Sequence, residues 1–301
     1  MSPADGSRRT DLPNYPLSLA RAAAPWKRSA TAQTTLPEAQ TTVTNWVPQR
    51  QRTAEYRSLV GSSAEIPLAL PQIPVMTLHI DLLSQWAFPI KALGMVHLGT
   101  VIDVLDELPP DGPWDVRAWV AGGRHVRSGF EFDLHGEVSA QGRVCWRSRA
   151  ITLSRSKTAA GAEPSTVPTP DASGQWESET PVQVDEGTGR AFGRVTGDVN
   201  PIHMHALPAR LFGFRRAIAH GWWTTGRAAA LLGVDESVPG RQMSIAFRRP
   251  VDLPSTPVLC SRATPDGGVE FALFAAAPSP AAPSPADGAQ PRPLVAGAVS
   301  G

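Results

Sequence analysis

Between Asp198 and His203 the chain gathers an acid, an amide, a proline and an imidazole, inside the stretch Phe192-Gly-Arg-Val-Thr-Gly-Asp-Val-Asn-Pro-Ile-His203. Gly197 frees the backbone to turn and Pro201 fixes φ just after Asn200, so Asp198 and His203 are expected on a rigid loop rather than a helix. A carboxylate and an imidazole held on one turn can grip a single water, one taking its proton while the other orients it. That is the arrangement for adding water to, or removing it from, an activated carbon. A double bond conjugated to a thioester is such a carbon. Addition there builds negative charge on the thioester oxygen. A helix opening at His220-Gly221 offers that oxygen a backbone N–H and a favourable dipole.

Each of these residues also has a plainer reading. Asp198 can be an Asx turn or a helix cap, His203 a loop histidine bonded to a carbonyl, and Asn200 a brace that ties loop carbonyls together. Arg210, Arg215 and Arg216 are either solvated charges or contacts for the phosphates of a pantetheine-type carrier or the acidic face of a carrier protein. Trp222 and Trp223 lie on an apolar helix and read as core. His203, His205 and His220 raise the question of a metal, but His-x-His without a further ligand at firm spacing is a weak signal, and no metal is expected. Gly187 to Gly193 spells GxGxxxG. Only a very short strand precedes it, and it lacks the βα alternation and the later acidic residue of a dinucleotide loop.

The elements that must hold this constellation follow from pattern. From Pro71 to Gly94 runs a strongly apolar segment, with Val75, Leu78, Ile80, Leu82, Leu83 and Trp86 available to one broad helical face, which predicts a buried helix. Four runs rich in β-branched and aromatic residues follow: 95–105, 114–121, 126–134 and 142–154. Turn signals at 108–113, 121–123 and 140–142 divide them into an antiparallel meander. A helical candidate at 49–60 precedes them. Residues 157–175, poor in apolar residues and punctuated by Pro, read as a linker. The second half repeats the order. A short strand (179–184) and a brief helix (186–195) lead to the polar loop, a helix at 220–232 stopped by Gly233, and strands at 242–251, 257–263, 269–275 and 294–299. Each half therefore shows a buried helix and then antiparallel strands, an α+β class in which a duplicated unit packs as a pseudo-dimer. The expected division is a mobile arm (1–35), a first unit (36–156), the linker (157–175) and a second unit (176–301) with a Pro/Ala-rich loop at 276–293.

Composition bounds the rest. Over 301 residues, 28 Lys plus Arg against 27 Asp plus Glu leave a net charge of +1, so no bulk field draws nucleic acid or an anionic membrane. The two cysteines, Cys145 and Cys260, lie far apart and outside any CxxC, which disfavours a disulfide framework or a structural zinc site. With no signal-like leader and no long apolar run, a cytoplasmic protein is expected.

The stretch Phe192-x-x-Val-Thr-Gly-Asp-x-Asn-Pro-Ile-His203, then Ala209, then Gly213-Phe214-Arg-Arg-Ala-Ile218-Ala-His220-Gly221, resembles the signature of the type 2 (R-specific) enoyl-CoA hydratases and MaoC-like acyl dehydratases. The resemblance implies a hot-dog fold in tandem, a long helix wrapped by an antiparallel sheet twice over, acting as a hydro-lyase on trans-2-enoyl or (3R)-hydroxyacyl thioesters of CoA or acyl-carrier protein in fatty-acid metabolism. By motif position, Asp198 and His203 would hold the water, the Gly221 N–H would meet the oxyanion, and Asn200 would brace the loop. No cofactor is implied. Trp222 stands where the family has Met, and Ala229 and Ala230 stand where some members have a Ser-Gly pair. The first half lacks the motif and would lend room for the acyl chain, leaving one active site per chain. Pairing of two such chains into a homodimer is compatible with this. The competing readings are a hot-dog thioesterase and a non-catalytic module that binds acyl thioesters.

Overall fold

The computed structural model describes residues 7–24, 26–31, 33–92, 94–156, 162–234, 236–275 and 292–301. The first half comprises β1 (Ser7–Arg9), α1 (Tyr15–Ala22), β2 (Gln40–Trp46), α2 (Arg50–Val60), α3 (Gln72–Ser84), β3 (Val96–Val104), β4 (Trp114–Val126), β5 (Gly129–Ala140) and β6 (Arg143–Arg155). The second comprises β7 (Ser178–Pro181), α4 (Thr188–Thr196), α5 (Pro201–Met204), α6 (Ala206–Leu211), α7 (Gly221–Leu232), β8 (Gln242–Phe247), β9 (Val258–Ala263), β10 (Val269–Phe274) and β11 (Val295–Ser300).

All the strands join one sheet in the order β1-β2-β4-β5-β6-β3-β8-β11-β10-β9-β7. Read outward from its centre, β3-β6-β5-β4-β2 on one side is matched by β8-β11-β10-β9-β7 on the other, which is the same connectivity in both halves. The two meet where β3 and β8 pair antiparallel, Gly99 opposite Ala246 and Ile102 opposite Met243. An antiparallel junction between equivalent strands is what a local two-fold requires, so the expected pseudo-dimer is a continuous double hot-dog sheet. Each half wraps its own helix. In α3 every residue from Pro74 to Leu83 is buried, which explains a helix apolar on all sides.

Several expectations shift in detail. The first central helix stops at Ser84, where Gln85 turns to extended backbone, and Trp86 is 81% exposed, tilted against Trp26 instead of joining the core. The Gly-Gly at 122–123 is a bulge inside β4 rather than a turn. Pairing shifts register between Ala121 and Arg124, and a Cβ on Gly122, at φ +65°, would sit 2.6 Å from the Asp133 carboxylate.

The larger correction concerns the N-terminus. Residues expected in a mobile arm are tied to the body: β1 pairs parallel with β2, and α1 lies against α3. Asn14 caps α1 by accepting the Leu17 N–H at 3.0 Å, with a proline in its first turn. The buried carboxylate of Asp81 on α3 takes the Ser18 hydroxyl at 3.4 Å and pairs with Arg9 at 3.0 Å. Lys27 donates to the carbonyls of Gln85 and Phe88 at 2.7 and 2.6 Å.

The described part of the inter-half segment begins along the first-half sheet and passes to β9 of the second half, where Arg262 meets Asp171 and Ser173. Thr166 donates through N–H and Oγ1 to the fully buried Glu131, Ser165 donates to the same carboxylate, and Arg124 pairs with Glu131 and Asp133 at 2.6 and 2.7 Å. The Pro/Ala loop falls on residues 276–291, outside the described ones. No helix is long and apolar enough to cross a membrane among the described residues.

Candidate active site

Helix α4 ends at Gly197, whose φ of +87° turns the chain out of the helix and presents Asp198. The Asn200 N–H donates to the Asp198 carboxylate at 3.1 Å, an Asx turn that fixes its rotamer. Asn200 in turn caps α5, a single turn opening at Pro201. His203 therefore sits on a short helix, and only Asp198 is on the expected loop. Pro201 is the reason: its fixed φ suits the first position of a helix as well as a turn.

The His203 ring donates Nδ1–H to the Ile218 carbonyl at 2.8 Å. With that nitrogen protonated in the neutral ring, Nε2 carries a lone pair. Burial holds the imidazole below its ordinary pKa, opposed by the nearby Asp198 charge and the carbonyl bond. His220 stacks on it with ring centroids 3.8 Å apart and donates Nε2–H to the Asp198 backbone carbonyl at 3.2 Å. Burial first, then His203, lowers its pKa to about 3, so His220 is a neutral ring that touches both Asp198 and His203.

Side-chain donor atoms of Asp198, His203 and His220 all lie within 4.8 Å of one another. Two groups at that separation can each reach one shared water at an ordinary hydrogen-bond length. The same three side chains are a group that could hold a cation: each imidazole gives one nitrogen to a backbone carbonyl, as metal-bound histidines do, and leaves the other uncommitted.

Helix α7 begins at Gly221, and His220 supplies no side-chain cap, so the first N–H groups stay available to a ligand. A Cβ on Gly221 would lie 2.9 Å from the His97 ring and 3.1 Å from Phe247, which leaves room only for glycine. Asp198, Asn200, His203, Gly221 and Trp222 all line one cavity of about 340 Å³. The expected dyad, loop brace and oxyanion donor are thus brought together.

Arg215 and Arg216 do not line this cavity; both are exposed beyond α6. The arginines at its rim are Arg155, Arg248 and Arg249, from the ends of β6 and β8. Trp222 is 8% exposed and packs on His97 with centroids 5.3 Å apart. Three further wall residues lay outside the expected set. Tyr15 of α1 points at Asp198, and burial, then the Asp198 charge, raises its pKa. His79 of α3 and His97 of β3 come from the half without the motif. Nothing local marks them, since each is a lone histidine in an apolar element.

Residues 169–256 match the family model of the MaoC like domain. The 3-hydroxyacyl-thioester dehydratase X of Mycobacterium tuberculosis is 29% identical over 242 residues, spanning 79% of this chain and 85% of its own length. The chain is thus similar to a dehydratase over most of its length and to the MaoC like domain over residues 169–256. A crystal structure of HtdX from that organism has a TM-score of 0.69 and 25% identity, over 87% of this chain and 99% of the other. A MaoC-like dehydratase from Phytophthora capsici, at 17% identity, shares the fold with a TM-score of 0.65 over 88% and 95% of the two chains. The matched region covers β7 through β8 and contains every residue of the dyad loop.

Proposed function

We propose that this MaoC-like protein reversibly hydrates trans-2-enoyl thioesters to 3-hydroxyacyl thioesters, with Asp198 and His203 as the acid–base pair and the Gly221 N–H as the oxyanion donor. The observation that carries the reading is the approach of the Asp198 carboxylate and the His203 ring within 4.8 Å, beside an uncapped helix N-terminus. In the hydration direction the held water gives its proton to the pair as its oxygen bonds to C3. The enolate oxygen is met by the Gly221 N–H, and a proton from the pair then passes to C2. Dehydration is the reverse. The relative named a 3-hydroxyacyl-thioester dehydratase supports the reaction class. The rim arginines Arg155, Arg248 and Arg249 supply charge for the phosphates of a pantetheine carrier.

The test is loss of the conjugated enoyl-thioester absorbance with crotonyl-CoA and longer enoyl-CoAs. Asp198→Asn removes a proton acceptor while keeping the side chain's size, and should lower kcat by about 10²-fold or more. Activity within a few-fold of wild type would remove Asp198 from the mechanism. Release of free thiol without hydration would make the protein a thioesterase instead.

A further inference from the structure

The cavity is not an apolar tunnel on its first-half side. His79 donates Nε2–H to the His135 carbonyl at 2.8 Å, and His97 donates Nε2–H to the Gly99 carbonyl at 3.0 Å. In each neutral ring the Nδ1 lone pair is then the free valence. Thr152 is the cross-strand partner of His97, so the two side chains leave the sheet on the same face. His79 is near enough to His97 for their charges to interact. Among the described residues, neither Nδ1 nor the Thr152 Oγ1 has a hydrogen-bond partner, although His79 and Thr152 are only 5% and 7% exposed and all three residues line the cavity.

We propose that His79, His97 and Thr152 form a binding site for a hydroxyl group carried on the acyl chain beyond the reacting carbons, which makes hydroxylated enoyl thioesters the preferred substrates over plain alkyl ones. The inference rests on the hydratase reading for its thioester and extends it to the substrate's acyl class. Gly221 and the dyad fix the thioester and C2–C3 on the second-half wall, while Met76, Ile80, Leu83 and Leu134 continue the same cavity into the first half. A chain that enters the first-half part of the cavity meets the wall on which His79 and Thr152 sit, with the His97 ring between that wall and Gly221. A methylene chain would displace water from these polar groups and give nothing back. A hydroxyl donates to an imidazole Nδ1 and accepts from the Thr152 hydroxyl, restoring both bonds. A carboxylate substituent is disfavoured because neutral imidazole lone pairs repel it. Burial keeps His79 in that form, with its pKa lowered to about 4.

The experiment compares enoyl-CoAs of one chain length, unsubstituted or carrying a hydroxyl moved carbon by carbon from the fifth position to the terminus. For wild type, at least one hydroxylated isomer should exceed the plain chain in kcat/KM by about tenfold or more. The double variant His79→Phe, Thr152→Val should bring that ratio to about one, and Thr152→Ser, which keeps the hydroxyl, should retain the preference. The ratio is internal to each variant, so a general loss of activity does not disturb it. Binding of the saturated hydroxyacyl- and acyl-CoAs by calorimetry reads the same ratio without turnover. If the binding preference is present while no enoyl thioester is hydrated, the substituent site stands and the hydratase reading falls. If no isomer is preferred in turnover or binding, or the double variant keeps the preference, the proposal is overturned.

Discussion

Two imidazoles at this site have been given opposite work by their second nitrogen. His203 commits Nδ1 to the Ile218 carbonyl, leaving Nε2 free toward Asp198, whereas His220 commits Nε2 to the Asp198 carbonyl and buries Nδ1. Only His203 is therefore wired to exchange a proton with a ligand. Burial favours its neutral form over the charged one, so kcat/KM, which reads the free enzyme, should lose half its value on the acid side at a pH below 6.5, the ordinary histidine value. A pH–rate profile in hydration checks this; an acid limb centred above 6.5 would contradict a desolvated base. Of these placements, Asp198, Asn200 and His203 were legible because six consecutive positions carry them all. The contact of His220 was not, because it is made to a backbone carbonyl twenty-two positions away and leaves no trace in spacing.

The central helices and meanders could be read from their periodicity, since α3 and α7 bury nearly every face and the strands alternate. What the pattern hid is the pair of elements that bury few apolar residues. In α1 only Tyr15, Ser18 and Ala22 face inward, and β2 reads Gln-Thr-Thr-Val-Thr-Asn-Trp. Contacts from other elements hold them: the Ser18 hydroxyl bond to the buried Asp81, which also pairs with Arg9, for α1, and pairing with β1 and β4 for β2, none of which a local window contains. The consequence is that α1, carrying Tyr15 against Asp198, is a wall of the site. Limited trypsin should leave Arg21 intact for as long as the core survives. Asp81→Asn weakens the Arg9 pair and should speed cleavage after Arg21 by about tenfold, read by N-terminal sequencing of the fragments. Rapid cleavage there in the wild type would restore the mobile arm.

At the scale of the whole molecule, the duplication places four histidines around one space, His79 and His97 from the first half and His203 and His220 from the second. All four have pKa values below 6.5 with burial as the leading cause, to about 4 for His79 and His97 and about 3 for His220. A folded chain that refuses protons its unfolded form accepts gains stability as pH rises and loses it as pH falls, starting near the unfolded value of 6.5 and continuing down to the folded values. For the two most buried, His79 and His220, that amounts to about 2 kcal/mol each by pH 5. Together this is a large share of an ordinary domain's stability of about 5–15 kcal/mol. The urea midpoint should therefore drop steeply between pH 7 and pH 5, and His79→Phe should flatten that slope even where it lowers the midpoint itself. A midpoint unchanged across this range would mean that the imidazoles are solvated in the folded state, and with that the closed, protein-walled space between the halves would be lost.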